Sequence, residues 1–256
     1  MSEGEVESDS FKRFYNEKPT HTTSDPGLQE LIESYIVKLN LPRSPKILDA
    51  GCGDGRVLKA LRHLLPDAEL FGVDISEPNV QMLRGEGLQV YQGDLSTGNL
   101  PFADHFFDLC IMFHTIEHLY DTDHSLREIN RVLKGESGIF LILTPNLAFW
   151  INRLLLAIGI QPLHTEVSAD KVLGRRFGFL GQGNPVVGHI HVFTLPALLD
   201  ILKINGFTVL NVRGFPDPRL KRVSKSVDFV LSKRASLSTS FLVTCKTSLD
   251  AAKRSA

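Results

Sequence analysis

The chain has 256 residues, 43% of them hydrophobic and 22% charged, with a formal net charge of −1 at pH 7. That composition fits a globular protein large enough for one α/β domain with an insertion. The balanced charge excludes a global electrostatic pull toward nucleic acid, and the three cysteines (Cys52, Cys110, Cys245) supply neither a disulfide framework nor a CxxC metal pair.

Along the chain, Met1 to Ser10 is polar and acidic, with no apolar signal region. Residues 1–20 read as a flexible arm, in which Tyr15 and Asn16 either cover a site or simply pack. Residues 21–247 read as one domain and 248–256 as a flexible tail. Lys46–Ala50 is the first predicted strand. It runs into Gly51-Cys52-Gly53-Asp54-Gly55 and then a helix carrying Val57, Leu58, Leu61, Leu64 and Leu65. Strand, glycine loop and helix form the unit that holds a nucleoside-bearing cofactor at the carboxyl edge of a parallel sheet. The spacing is Gly-x-Gly-x-Gly, with Asp49 just ahead. It lacks the third glycine of the dinucleotide pattern, which argues against a nicotinamide oxidoreductase and against a bound pyrophosphate.

Further predicted strands are Glu69–Val73, ending at Asp74, then Leu88–Tyr91 before Gly93-Asp94, the continuous apolar run Phe107–Phe113, and Ile139–Leu143. Ser76 is expected to cap a helix that Pro78 opens. Leu126, Ile129 and Leu133 mark another helix. A third starts at Thr194-Leu195-Pro196 and stops at Asn205-Gly206. Phe207–Val212 and Thr239–Thr244 complete seven strands, so the fold class is a doubly wound, mostly parallel, Rossmann-like α/β sheet with the last strand antiparallel. Two segments interrupt the alternation, 146–192 and 215–235, and long insertions of this kind are often lids. The longest apolar run, Leu147 to Ile160, is too short to span a bilayer, which takes about 20 residues. There is no internal repeat.

In order along the chain stand Ile47-Leu48-Asp49-Ala50-Gly51-Cys52-Gly53-Asp54-Gly55, Gly72-Val73-Asp74-Ile75-Ser76, Gly93-Asp94-Leu95, Leu100-Pro101-Phe102, Phe107-Asp108-Leu109, Ile116-Glu117-His118-Leu119, Leu126-Arg127-Glu128-Ile129-Asn130-Arg131-Val132-Leu133-Lys134 and Leu143-Thr144-Pro145-Asn146. This series resembles the class I S-adenosylmethionine-dependent methyltransferases, in particular the small-molecule group often called type 11 or type 23. It departs from that group at Gly135-Glu136-Ser137-Gly138, where Pro-Gly-Gly is usual. The resemblance implies S-adenosyl-L-methionine as cofactor and an acceptor methylated most simply at oxygen. It assigns Asp49, Gly51, Cys52 and Gly53 to the methionine end, Asp74 to the ribose, and Ile75, Asp94 and Leu95 to adenine. Phe113 belongs at the rim where the methyl sits. A cytoplasmic enzyme is expected, acting on a small molecule and not on nucleic acid. The alternative is a cofactor-binding partner of another enzyme, without catalysis of its own.

Candidates for catalysis are His114, Glu117 and His118, whose i, i+3, i+4 spacing would put them on one face of a helical turn. Three readings stay open for them: hydrogen bonds that fix the loop, a general base, or a divalent metal site. Quinone O-methyltransferases have a similar Glu-x-x-Glu-His here. His114 replaces the first Glu, which weakens a magnesium reading, and no metal is assigned. In Gly188-His189-Ile190-His191, a strand would turn both histidines to one side.

Residues 147–158 form a helix apolar nearly all round, expected to be buried or to meet something greasy. The second insertion sets Val223, Val227, Val230 and Leu231 among Arg219, Lys221, Arg222, Lys225, Lys233 and Arg234. Such a pattern fits either a solvated basic helix face or a peripheral contact with an anionic membrane surface. Together the insertions point to a lipid-like, prenylated or glycan-lipid acceptor.

Overall fold

The computed structural model describes residues 14–16, 34–176, 178–220 and 222–248, with backbone alone at 179, 222 and 223. Most of the expected arm and tail, and Lys221, lie outside the described residues. The sheet has seven strands in the order β3-β2-β1-β4-β5-β7-β6, with the last strands antiparallel. They are β1 (Lys46–Ala50), β2 (Glu69–Asp74), β3 (Gln89–Gln92), β4 (Leu109–Phe113), β5 (Ile139–Pro145), β6 (Phe207–Phe215) and β7 (Ser240–Thr247). β1 pairs in parallel with β2 on one side and with β4 on the other. The order changes direction at β1, and a crevice at such a switch point is where open α/β sheets bind ligands.

Helices alternate with the early strands: α1 (Arg56–Leu64), α2 (Glu77–Gly85) and α3 (Thr122–Val132). Later come α4 (Trp150–Ala157), α5 (Leu195–Ile204) and α6 (Arg222–Ser232). Their apolar faces make the core: Val57, Leu58 and Leu61 of α1, and Leu126, Ile129 and Val132 of α3, are all buried. Every residue of β4 is buried, as its continuous apolar run requires. The cap of α2 differs from expectation. Ser76 holds the N-cap position, but its Oγ caps no backbone amide; its own N–H donates to the Asp74 carboxylate. Asp121 and Thr194 do cap α3 and α5 through their side chains.

The chain divides into two compact units. One comprises residues 1–112, 121–140 and 246–256, and the other residues 113–120 and 141–245. In the first unit the family motif at Leu100-Pro101-Phe102 is clamped by α3. Glu128 accepts the Leu100 N–H at 2.8 Å, and Arg131 donates to the carbonyls of Leu100 (3.0 Å) and Phe102 (2.9 Å). These motif residues hold the fold.

The second unit contains both insertions. The indole N–H of Trp150 on α4 donates to Asp228 on α6 at 2.8 Å, so the two insertions are joined by a partly buried hydrogen bond. Both helices bury a polar residue and expose apolar ones. Asn152 and Asp228 are fully buried, while Leu154, Leu156 and Ile158 on α4 and just after it, and Val227, Phe229 and Val230 on α6, are exposed. Asn152 is satisfied by the carbonyls of Leu147 and Leu163 and the N–H of Leu163, which is what lets a polar residue sit inside. Among the described residues no helix is long and apolar enough to cross a membrane.

Candidate functional site

The first unit carries a cradle built mainly from backbone. After Ala50 the chain turns through Gly51, Gly53 and Gly55 at φ of 84°, 50° and 77°, values that strain any residue with a Cβ. The N–H groups of Gly51 (2.8 Å) and Cys52 (3.0 Å) both donate to the Val73 carbonyl and tie the loop to β2. Gly72 makes room for it: a Cβ there would stand 2.8 Å from Cys52 Sγ and 2.9 Å from Leu58. Burial pushes the Cys52 thiol up, and Asp49 and Asp74 add to this, so the thiol stays neutral.

Two buried acids face this loop. Asp74 Oδ2 accepts the Gly53 N–H at 2.7 Å and Oδ1 accepts the Ser76 N–H at 2.9 Å. The Asn79 side chain bonds the same carboxylate; an ionised carboxylate has about four lone-pair sites, so about one remains for a ligand hydroxyl. Asp49 is 2% exposed, and its Oδ2 has no hydrogen-bond partner among the described residues. Burial, then repulsion from Asp74 and Asp54, raises its carboxyl to about 8. A buried carboxylate oxygen without a donor is costly, and a ligand ammonium or hydroxyl is the kind of group that would complete it. The donor set therefore fits a cationic amino-acid end at Asp49 and a hydroxyl at Asp74.

The remaining expected contacts are less uniform. Asp94 Oδ1 accepts the Ser96 N–H at 2.8 Å, an Asx-turn that shapes its loop. Leu95 is buried and its carbonyl takes the Ser125 hydroxyl at 2.7 Å. Ile75 is half-buried just past β2. Asn16 accepts the Glu77 N–H at 3.2 Å, which sets it against the start of α2. Phe113 closes β4 at 8% exposure.

The second unit gathers the acid–base candidates. The segment after β4 is a short 3-10 turn at Ile116–His118, not an α-helical face. His114 stands at φ 52°, a left-handed conformation uncommon outside glycine. Its Nδ1 meets Glu117 Oε1 at 3.2 Å, and Thr144 Oγ1 donates to Glu117 Oε2 at 3.0 Å. Glu117 is fully buried. Burial alone would raise its carboxyl, but the His114 hydrogen bond and the charges of His114, His118 and His189 bring it to about 2. It is an anion at neutral pH and a poor proton acceptor there. His118 turns its Nδ1 to the Gly188 carbonyl at 3.0 Å, and burial pushes its imidazole below the usual range despite the neighbouring Glu117.

Residues 188–191 are not a strand. The N–H groups of Ile190 (2.8 Å) and His191 (3.0 Å) both donate to the Glu117 carbonyl, which stitches this loop onto the turn. The two histidines consequently part: His191 meets the Tyr120 carbonyl, while the His189 ring lies 4.8 Å from that of His118. Glu166 chelates the loop through the N–H groups of Val187, Gly188 and His189. Sequence reasoning missed His164 and Glu166, because no local pattern links residues 164–166 to 117. The one available signal was the density of histidines at 114, 118, 164, 189 and 191.

Comparison with known proteins agrees with the fold and the glycine loop. Residues 48–142 match the methyltransferase-domain family. Over those residues the chain resembles the class I S-adenosylmethionine-dependent methyltransferases. A probable S-adenosylmethionine-dependent methyltransferase of Mycobacterium tuberculosis is 32% identical over 172 residues, covering 65% of this chain and 58% of its own. A demethylmenaquinone methyltransferase of Thermotoga maritima is 34% identical over 126 residues, 47% of this chain and 54% of its own. The chain thus spans a little over half the length of these relatives. The crystal structure of the PH0226 protein of Pyrococcus horikoshii has the same fold, with a TM-score of 0.58 at 23% identity over 92% of this chain and 98% of that one. The cofactor of this class is S-adenosyl-L-methionine.

Proposed function

We propose that the chain transfers a methyl group from S-adenosylmethionine to a small, lipid-like acceptor, most simply at oxygen. The observation that carries the cofactor half is Asp49 Oδ2, a buried carboxylate oxygen with no donor beside a glycine loop. Asp49 takes the ammonium, Gly51 and Gly53 let the backbone approach closely, and Asp74 takes a ribose hydroxyl. Ile75 and Leu95 flank the adenine, and Asp94 accepts from its amino group. S-adenosylmethionine supplies an already activated methyl, so the protein's share is alignment and exclusion of water, worth about 7–11 kcal/mol when well done. His114 is the residue that takes the acceptor proton. It is partly exposed at the segment following β4, and Glu117 orients its ring through Nδ1.

The lipid-like acceptor rests on the exposed apolar residues of α4 and α6. Leu154, Leu156, Val227, Phe229 and Val230 stand beside exposed Lys225, Lys233 and Arg234. Lys233 lies 5.4 Å over the Phe229 ring. Apolar side chains interleaved with cations suit an interface with anionic lipid. One relative is, by its name, a methyltransferase of demethylmenaquinone. The test is release of S-adenosylhomocysteine with a panel of hydroxylated quinones, prenols and phenols. Turnover that disappears in His114→Ala while cofactor still binds supports the reading. Cofactor binding with no turnover on any acceptor favours the non-catalytic partner instead.

A further inference from the structure

We infer that Glu117, His118 and His189 form a binding site for a divalent first-row transition cation. Each offers one ligand atom, and the three atoms lie within 4.8 Å of one another. The residues come from two separate stretches, a turn and a distant loop. The backbone bonds from Ile190 and His191 to the Glu117 carbonyl hold those stretches together.

The surroundings of each ligand have the form a metal site needs. Metal-binding imidazoles usually donate their second ring N–H to a carbonyl or carboxylate, which fixes the tautomer and aims the other nitrogen. His118 Nδ1 meets the Gly188 carbonyl at 3.0 Å, and His189 Nδ1 meets the His164 carbonyl at 2.7 Å. A carbonyl oxygen can only accept, so Nδ1 is the donor in both rings, and in the neutral ring Nε2 is the metal-ligating nitrogen. Glu117 is steadied in turn by His114 and Thr144. All three candidate ligands therefore have an outer partner.

Two further observations bear on the site. Glu117 is fully buried and already bonded by His114 and Thr144, and it offers a ligand oxygen within 4.8 Å of ligand nitrogens of His118 and His189 as well. Next to them, the His164 ring lies 6.1 Å from that of His189, and its buried Nε2 has no hydrogen-bond partner among the described residues. Two nitrogens and one carboxylate oxygen suit zinc, cobalt or ferrous iron; magnesium and calcium prefer all-oxygen sets. Bonds of about 2.0–2.2 Å place tetrahedral donors roughly 3.4 Å apart. Three protein ligands leave at least one position open to water or substrate.

The test uses cobalt as a spectroscopic probe. The full chain, stripped with a chelator, is titrated with Co2+ and followed by its visible d–d absorbance, then challenged with Zn2+. One cobalt per chain, displaced by zinc, is expected. His189→Ala and His118→Ala should each weaken binding about tenfold or more, while His63→Ala, an exposed histidine of the first unit, should leave it unchanged. If His118→Ala fails to fold, His189→Ala decides, since His189 is only half-buried. S-adenosylhomocysteine binding and an unchanged melting temperature certify that variant's fold. Cobalt that binds only in the millimolar range, or that binds as tightly to folded His189→Ala, overturns the inference. The readout needs neither methyl donor nor acceptor, so its failure leaves the methyl-transfer reading intact.

Discussion

The cradle and the histidine cluster are built by opposite means. The cradle joins two short runs, 49–55 and 72–76, through parallel pairing of neighbouring strands, and Asp74 is held by the Gly53 and Ser76 N–H groups with one side-chain bond from Asn79. The cluster joins residues 114–118, 144, 164–166 and 187–191 through side chains and loop carbonyls. The first region leaves an acid unsatisfied, and the second satisfies its acid fully. The two candidate sites thus differ in whether the buried acid already has partners within the protein.

The sharpest way to break this contrast is Asp74→Ala. It removes the acceptor for Gly53 and Ser76 as well as the ribose partner, so S-adenosylhomocysteine affinity should fall by about a hundredfold or more, as expected for buried hydrogen bonds to a charged group. Cobalt binding should be untouched. Calorimetry with each ligand reads both halves.

Glu117→Gln acts on the other region. The Glu117 carboxyl titrates near 2 in the fold, against an ordinary 4.5. Its stabilising contribution is present above pH 4.5 and is lost as pH falls toward 2. The Gln variant should lose about 1–3 kcal/mol at pH 7, seen as a lower melting temperature. Its acid limb between pH 4.5 and 2 should be flatter. Cofactor affinity should stay within twofold of wild type.

Asp49→Asn has the reverse sign. The carboxyl titrates near 8 in the fold and at 3.8 in the open chain, so unfolding releases a proton between those values, and stability falls as pH rises across that window. The Asn variant should melt a few degrees higher than wild type at pH 8, about 1–2 kcal/mol, yet bind S-adenosylmethionine more weakly. A functional residue that costs stability is the expected trade. A variant that melts lower at pH 8 would show that Asp49 is already satisfied.

The smallest expected effect is at the exposed apolar residues. Val230→Ser and Leu154→Ser should change stability by no more than about 0.5 kcal/mol, while co-sedimentation with anionic vesicles drops. No binding by wild type to such vesicles would remove the lipid-like acceptor and leave the cradle as it stands.

What could be read from the chain divides along the same line. The glycine loop, Asp49, Asp74 and the order of strands and helices are legible because each depends on residues within a few positions of one another. Strand ends drifted outward: β6 runs on to Phe215 and β7 to Thr247, since ladder pairing continues past the apolar run. Ser76 looks like a cap from its identity and holds the N-cap position, yet its hydroxyl accepts from no helix N–H. The 147–158 segment looked uniformly apolar, yet the fold buries Asn152 and leaves Leu154 and Leu156 outside. His189 reads as a strand residue until the Glu117 carbonyl, 72 positions away in sequence (189 − 117), is seen to capture the next two N–H groups. Non-local hydrogen bonds of that kind leave no periodicity to detect.

Calorimetric titration of the purified chain with S-adenosylhomocysteine tests the central claim most directly. The account predicts a single site with measurable heat in wild type, retained in His189→Ala and weakened by about a hundredfold or more in Asp74→Ala. Absence of heat in wild type, or an affinity unchanged by the loss of Asp74, would contradict it.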